Sequence, residues 1–267
     1  MAHSLYIASN EARSGKSLIS LALMDLLLKR LKSVGFFKPI IDRREGKKKD
    51  HHINLILEYF QIPLDYDQTY GLYWDEVNDL LAQGRRGKLL EIILEKYKSL
   101  EENCDFVVCE GTNFMSSNTS FESEINIDIA KNLSCPVLLV GNAQNKYEKS
   151  LTSVIKSTSK AYKSQGVEVF GTIINRVLED NVSFLEKTIR KKFRDTFSFN
   201  AIIPEDPLLI SPTMSEVADF IKAEVLYGKD KLSTQAYRYS IAAMHLNNYL
   251  ERLTDHCLII TPGDRDD

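Results

Sequence analysis

The sequence has no Cys-x-x-Cys pair. Its four cysteines, Cys104, Cys109, Cys135 and Cys257, stand in no Cys/His spacing that suits zinc, which removes zinc ribbons and dithiol redox motifs. Cys109 and Cys135 lie in or beside apolar strand runs and read as reduced core thiols. No apolar run reaches membrane-spanning length. The N-terminus has no signal-peptide pattern, because Met1 to Ser4 is short and polar and the first apolar run reads as a strand. The expected compartment is the cytosol. A formal charge of −3 favours neither a nucleic-acid partner nor a membrane surface. The one basic cluster, Arg43, Arg44 and Lys47 to Lys49, reads as a solvated loop, although it would also suit phosphate-bearing ligands. No Ser-His-Asp grouping can be assembled from spacing, and no internal repeat is evident.

What remains is a chain of 267 residues with an ordinary apolar fraction of 43%, enough for one large domain or for one domain plus part of another. Its most informative stretch is LYIASNEARSGKS, Leu5 to Ser17. Leu5 to Ile7 reads as the end of a buried strand. Small and polar residues follow, and the apolar run LISLALMDLLL starts directly after Gly15-Lys16-Ser17. A strand, a tight polar loop and a helix opening at Gly-Lys-Ser is the layout of a phosphate-binding loop. The first backbone N–H groups of a helix have no partner inside it, and the helix dipole makes that end positive, so a phosphate satisfies both. Lys16 would add a charge beside the phosphate oxygens, and Ser17 would offer a hydroxyl to Mg²⁺. The pattern lacks one glycine: its first position is Asn10, which tolerates positive φ better than most residues but less well than glycine. Two other readings stay open. One is a helix N-terminus that happens to carry Gly-Lys-Ser; the other is a nucleotide-binding fold whose binding has decayed.

Along the chain, the periodicity predicts a helix over 17–31, a strand over 34–37 ending at Lys38-Pro39, and a helix from Asp50 to Phe60. Residues 75–103 read as two helices broken near Gly84 and Gly87. DFVVCEG, 105–111, reads as a buried strand with an acidic end, and 116–124 as a polar loop. Helices over 127–133, 150–162 and 182–193 then alternate with strands over 136–140, 169–175 and 200–203. The expected fold is α/β: a P-loop-type parallel sheet with helices on both faces. Pro204, Pro207 and Pro212 mark its end. Helices over 215–226 and 234–253 and a strand over 257–261 then read as an incomplete second α/β domain. The expected division is 1–210 and 211–267.

Ligands of such sheets sit beyond the carboxyl ends of the strands. The residues there are the loop 9–17, Lys38, Glu110, Asn142, Asn175 and Glu205. The candidate ligand-binding set is Asn10, Glu11, Arg13, Ser14, Gly15, Lys16, Ser17, Lys38 and Asn175, with Ser17, Asp50 and Glu110 as metal candidates. Each has a plainer alternative. Glu110 would serve as an exposed strand-end acid, Asp50 as a helix cap, Lys38 as the partner of a neighbouring acid, and Asn175 as a hydrogen-bonder of its own turn. His51 and His52 read as surface residues of a helix start.

Together, LYIASNEARSGKS, VGFFKPI, DFVVCEGTNF, INIDIAKNLSCPVLLVG and GTIINRV resemble the N-terminal region of long-form bacterial phosphate acetyltransferase. The tail IAAMHLNNYLERLTDHCLIITPGDRDD resembles the opening of its middle domain, named for an Asp-Arg-Thr-Gly-Gly motif that is absent here. The first domain is also similar to dethiobiotin synthetase. That likeness implies ATP and Mg²⁺, with Lys16 and Ser17 at phosphate and metal, Asp50 and Glu110 completing the metal site, Asn175 at the adenine and Lys38 facing the substrate side. The resemblance implies a truncated phosphate acetyltransferase: a regulatory, nucleotide-binding-like portion, inactive alone, a homo-oligomer in the full-length protein, with a small-molecule nucleotide effector and no nucleic-acid or membrane partner. The alternative is a stand-alone ATP-dependent ligase of the dethiobiotin synthetase or cobyrinate amidase kind. A third class, the partner-switching ATPases that position division sites, usually carries a second lysine early in the loop, and positions 9–14 have none.

Overall fold

A computed structural model describes residues 3–9, 11, 13–42, 49–112 and 119–263, with side chains omitted at 119–121. Asn10 and most of the basic cluster lie outside the described residues. The chain divides into two compact units, Met1–Pro204 and Glu205–Asp267.

The first unit is built on a parallel sheet of strands β1 (His3–Ala8), β2 (Val34–Ile41), β3 (Tyr70–Tyr73), β4 (Phe106–Glu110), β5 (Val137–Asn142), β6 (Val169–Val177) and β7 (Phe199–Pro204). Their spatial order is β3-β2-β4-β1-β5-β6-β7, and every pairing is parallel. Helices α1 (Lys16–Leu28), α2 (His51–Tyr59), α3 (Trp74–Ala82), α4 (Arg86–Glu101), α5 (Thr119–Asn132), α6 (Glu148–Ser164) and α7 (Val182–Phe193) connect them. Successive strand residues point to opposite faces, so each central strand feeds two cores. Tyr6, Ala8, Val107 and Cys109 pack with Leu89, Ile93, Ile129, Ile155 and Ile189 from α4 to α7. Ile7, Val108, Leu138 and Val140 pack with Ile19, Met24, Ile53 and Ile56 from α1 and α2. Both faces are covered, as the unbroken apolar strands predict.

Three expectations for this unit need correction. β2 does not end at Lys38-Pro39. It runs on through Lys38 and Pro39 to Ile41, because past Phe37 its only described partner is β3, and a strand paired on one side tolerates a missing N–H. β3 itself, YGLY, is too short to show alternation and went unread. The polar stretch 116–124 is not all loop: α5 starts at Thr119, and its polar opening precedes the buried Ile125 and Ile129.

In the second unit, α8 (Met214–Ile221) opens with a reciprocal Thr213–Glu216 cap and stops at Lys222, whose φ is +55°. The segment expected as one helix over 234–253 instead contains β8 (Arg238–Ile241) and the short α9 (Leu246–Leu250). β8 pairs in parallel with β9 (Cys257–Ile260). Tyr237 to Ile241 is aromatic and β-branched at alternate positions, which suits a strand better than a helix. Among the described residues, no helix is long and apolar enough to cross a membrane.

Candidate functional site

β1 lies between β4 and β5, and its chain leaves the sheet through the loop that ends at Gly15. Gly15 is the N-cap of α1 in the left-handed region, at φ +89°. A Cβ there would stand 2.1 Å from Asn175 Nδ2, so no other residue fits without moving the asparagine. Arg13 is also left-handed, at φ +55°. Asn175, on β6, donates from Nδ2 to the Ser14 carbonyl at 2.9 Å and is buried. The side chain expected at the adenine thus supports the loop from beneath. Ser14 is 1% exposed, and its hydroxyl has no hydrogen-bond partner among the described residues. Glu11 forms an ion pair with Lys146 across the loop.

Lys16 turns inward. It is 6% exposed, and its ammonium donates to the Gly111 carbonyl just past β4. Desolvation lowers its pKa to about 7; nearby Glu110 opposes the shift and Lys38 adds to it. The Gly111 backbone is pinned in turn. A Cβ at Gly111 would meet Asn126 Oδ1 at 2.7 Å, and the Asn126 amide holds Thr112 through N–H and C=O while accepting the Tyr6 hydroxyl at 2.6 Å.

Glu110 is the centre of the charged cluster. It is 3% exposed, not the exposed strand-end acid of the plainer reading. Burial alone would raise its pKa, but the His52 imidazole, the Lys38 and Lys16 charges and the Ser20 hydroxyl outweigh it and hold the carboxyl at about 2. Ser20 donates to Oε2 at 2.7 Å and Ser17 to Oε1 at 3.2 Å. His52 Nδ1 lies 2.7 Å from Ser17 Oγ and 3.6 Å from Glu110 Oε1. Lys38 Nζ lies 2.8 Å from Asp50 Oδ2 and 3.8 Å from Glu110 Oε1. Asp50 caps α2, the plainer of its two readings, by accepting from the His52 and Ile53 N–H groups, and its other carboxylate oxygen meets Lys38.

The structure therefore brings together Ser14, Gly15, Lys16, Ser17, Lys38, Asp50, Glu110 and Asn175. Asn142 stays in its own turn, accepting from the Gln144 N–H, and Glu205 opens the second unit. Sequence reading missed Ser20, His52 and Asn126. Ser20 had a signal, since it sits one helical turn beyond Lys16 and shares its face. His52 had one too, two residues past a candidate ligand at a helix start. Among the described residues, no three His, Cys, Asp or Glu side chains form a ready metal cluster; a lysine ammonium occupies the gap between Asp50 and Glu110.

A parallel sheet whose first strand runs through a left-handed glycine and a buried lysine into a helix defines the P-loop-type α/β class. A family model described as an AAA domain matches residues 3–213, and another, described as a DRTGG domain, matches residues 216–267. The chain belongs to the AAA-domain family. It is 40% identical over 270 residues to phosphate acetyltransferase of Nitratidesulfovibrio vulgaris and 36% identical over 268 residues to that of Synechocystis sp.. Each match covers 100% of this chain and 38% of the relative, so the chain spans well under half of the proteins it matches. The expected resemblance to a phosphate acetyltransferase region that joins a P-loop domain to a DRTGG domain is met. Among solved structures, a plasmid partition protein from Borrelia burgdorferi superposes with TM-score 0.52 at 16% identity, covering 83% of this chain and 93% of that one. This last likeness is one of fold.

Proposed function

We propose that the chain is the regulatory, nucleotide-binding portion of a cytosolic phosphate acetyltransferase. Residues 1–210 form the P-loop domain that takes ATP with Mg²⁺, and residues 211–267 begin the DRTGG domain. The longer protein, a homo-oligomer, interconverts acetyl-CoA and phosphate with acetyl phosphate and CoA. No coenzyme A site or catalytic grouping for that transfer is placed among the described residues of 205–267.

The observation that carries the nucleotide reading is the buried, desolvated Lys16 beneath a loop whose Ser14 hydroxyl has no hydrogen-bond partner among the described residues. An anion bound over the N-terminus of α1 adds negative charge beside the desolvated ammonium and gives the Ser14 hydroxyl an acceptor. Ser17, Asp50 and Glu110 are oxygen donors of the kind Mg²⁺ takes, and the Lys38 ammonium already marks the gap between the two carboxylates as a cation position. When bound, Mg²⁺ would neutralise phosphate charge. The chain's own residues hold the loop, through Asn175, and keep Glu110 ionised, through Ser20 and His52.

The test uses the longer protein, with acetyl phosphate formation followed as ATP and Mg²⁺ are added. Wild type responds to nucleotide, and Lys16→Ala needs at least about tenfold more for half the response, as loss of a charge-assisted contact implies. The separate chain of residues 1–267 makes no acetyl phosphate. Turnover by that chain, abolished by a substitution within it, would overturn the proposal.

A further inference from the structure

We propose that Lys38 is a resident counter-ion that occupies the divalent-cation position until nucleotide draws it away, so that metal binds tightly only when nucleotide is present. This inference rests on the reading of Ser17, Asp50 and Glu110 as metal-holding residues.

The geometry is specific. Lys38 is not at a free strand end. It lies within β2, where the strand pairs with β3, and its side chain is only 12% exposed. Its ammonium contacts Asp50 at 2.8 Å and approaches Glu110 Oε1 at 3.8 Å, the same oxygen that accepts from Ser17 at 3.2 Å. Asp50 and Glu110 therefore share one ammonium group, and Ser17 donates to the Glu110 oxygen that approaches it.

Mg²⁺ needs its oxygens at about 2.0–2.1 Å. It cannot enter that gap while the ammonium fills it, and the two positive charges would repel strongly at such a separation in a partly buried site. Expelling Lys38 without offering it another anion leaves a desolvated cation unpaired, which is costly. A bound nucleotide supplies that anion. Lysine suits the exchange, because its charge is compact and sits on a flexible four-carbon stem. The arrangement thus disfavours metal alone and favours metal arriving with phosphate, a positive coupling between two ligands.

The test measures Mn²⁺ binding by electron paramagnetic resonance with no nucleotide present. Wild type should bind Mn²⁺ weakly. Lys38→Met should bind one Mn²⁺ at least about tenfold more tightly, within the usual range of coupling between sites. Lys38→Arg, which keeps the charge, should bind as weakly as wild type. Asp50→Asn added to Lys38→Met should abolish the gain. Lys38→Gln, polar and uncharged, replaces Lys38→Met if the latter does not show the wild-type circular dichroism spectrum. Equal Mn²⁺ binding by wild type and the neutral variants overturns the proposal, whether both bind or neither does. ATP binding by wild type in chelator reports separately on the loop, so failure of the nucleotide reading is told apart.

Discussion

Lys16 holds a charge that its surroundings do not favour, and that has a measurable consequence in metal-free protein. Its pKa is lowered by burial to about 7 from an ordinary 10.5. Between those values the unfolded chain binds a proton that the folded chain does not, so raising the pH favours folding. The penalty is full below pH 7 and disappears above pH 10.5. Stability measured by urea denaturation in chelator should rise with pH across this window more steeply for wild type than for Lys16→Met; identical slopes would place the charge elsewhere. At this scale the sequence was informative where a residue's role is local. Gly-Lys-Ser announced the loop, and an acid closing an apolar strand announced Glu110. Asn126 was not legible, because its role depends on a contact across the fold, with Tyr6 120 positions away; His52 stood close to a candidate ligand, but its contact with Ser17, 35 positions away, could not be read.

The loop and α1 depend on one another through Gly15. Its left-handed φ and the Asn175 amide beneath it leave no space for a Cβ. Gly15→Ala should destabilise the protein by roughly 1–3 kcal/mol, read as a lower melting temperature. The cost should be smaller in an Asn175→Ala background, where the clash is gone and only the backbone strain remains. An equal cost in both backgrounds would mean that the amide does not crowd this position. The central strands and most helices were legible because burial on both faces writes unbroken apolar runs and helical periodicity into the sequence. β3 was not, being a four-residue edge strand with a glycine in it. β8 was not either, because TQAYRYSIAAMHLNNYL scans as amphipathic helix until its pairing with β9 is known.

Across the whole molecule, a P-loop-type unit precedes a short unit matched by the DRTGG family, in a chain that spans 38% of its phosphate acetyltransferase relatives. Composition could not have revealed that pairing; the local motifs did, through their order along the chain. The central claim is that the loop ending at Gly15-Lys16-Ser17 binds a nucleoside triphosphate although its first glycine is Asn10. Calorimetric titration of the 267-residue chain with ATP and Mg²⁺ tests it most directly. Wild type should give saturable heat at submillimolar ATP, and Lys16→Ala should bind roughly tenfold to a hundredfold more weakly, the equivalent of about 1.5–3 kcal/mol for a lost charge-assisted contact. No saturable heat at millimolar ATP, or equal binding by Lys16→Ala, would contradict it.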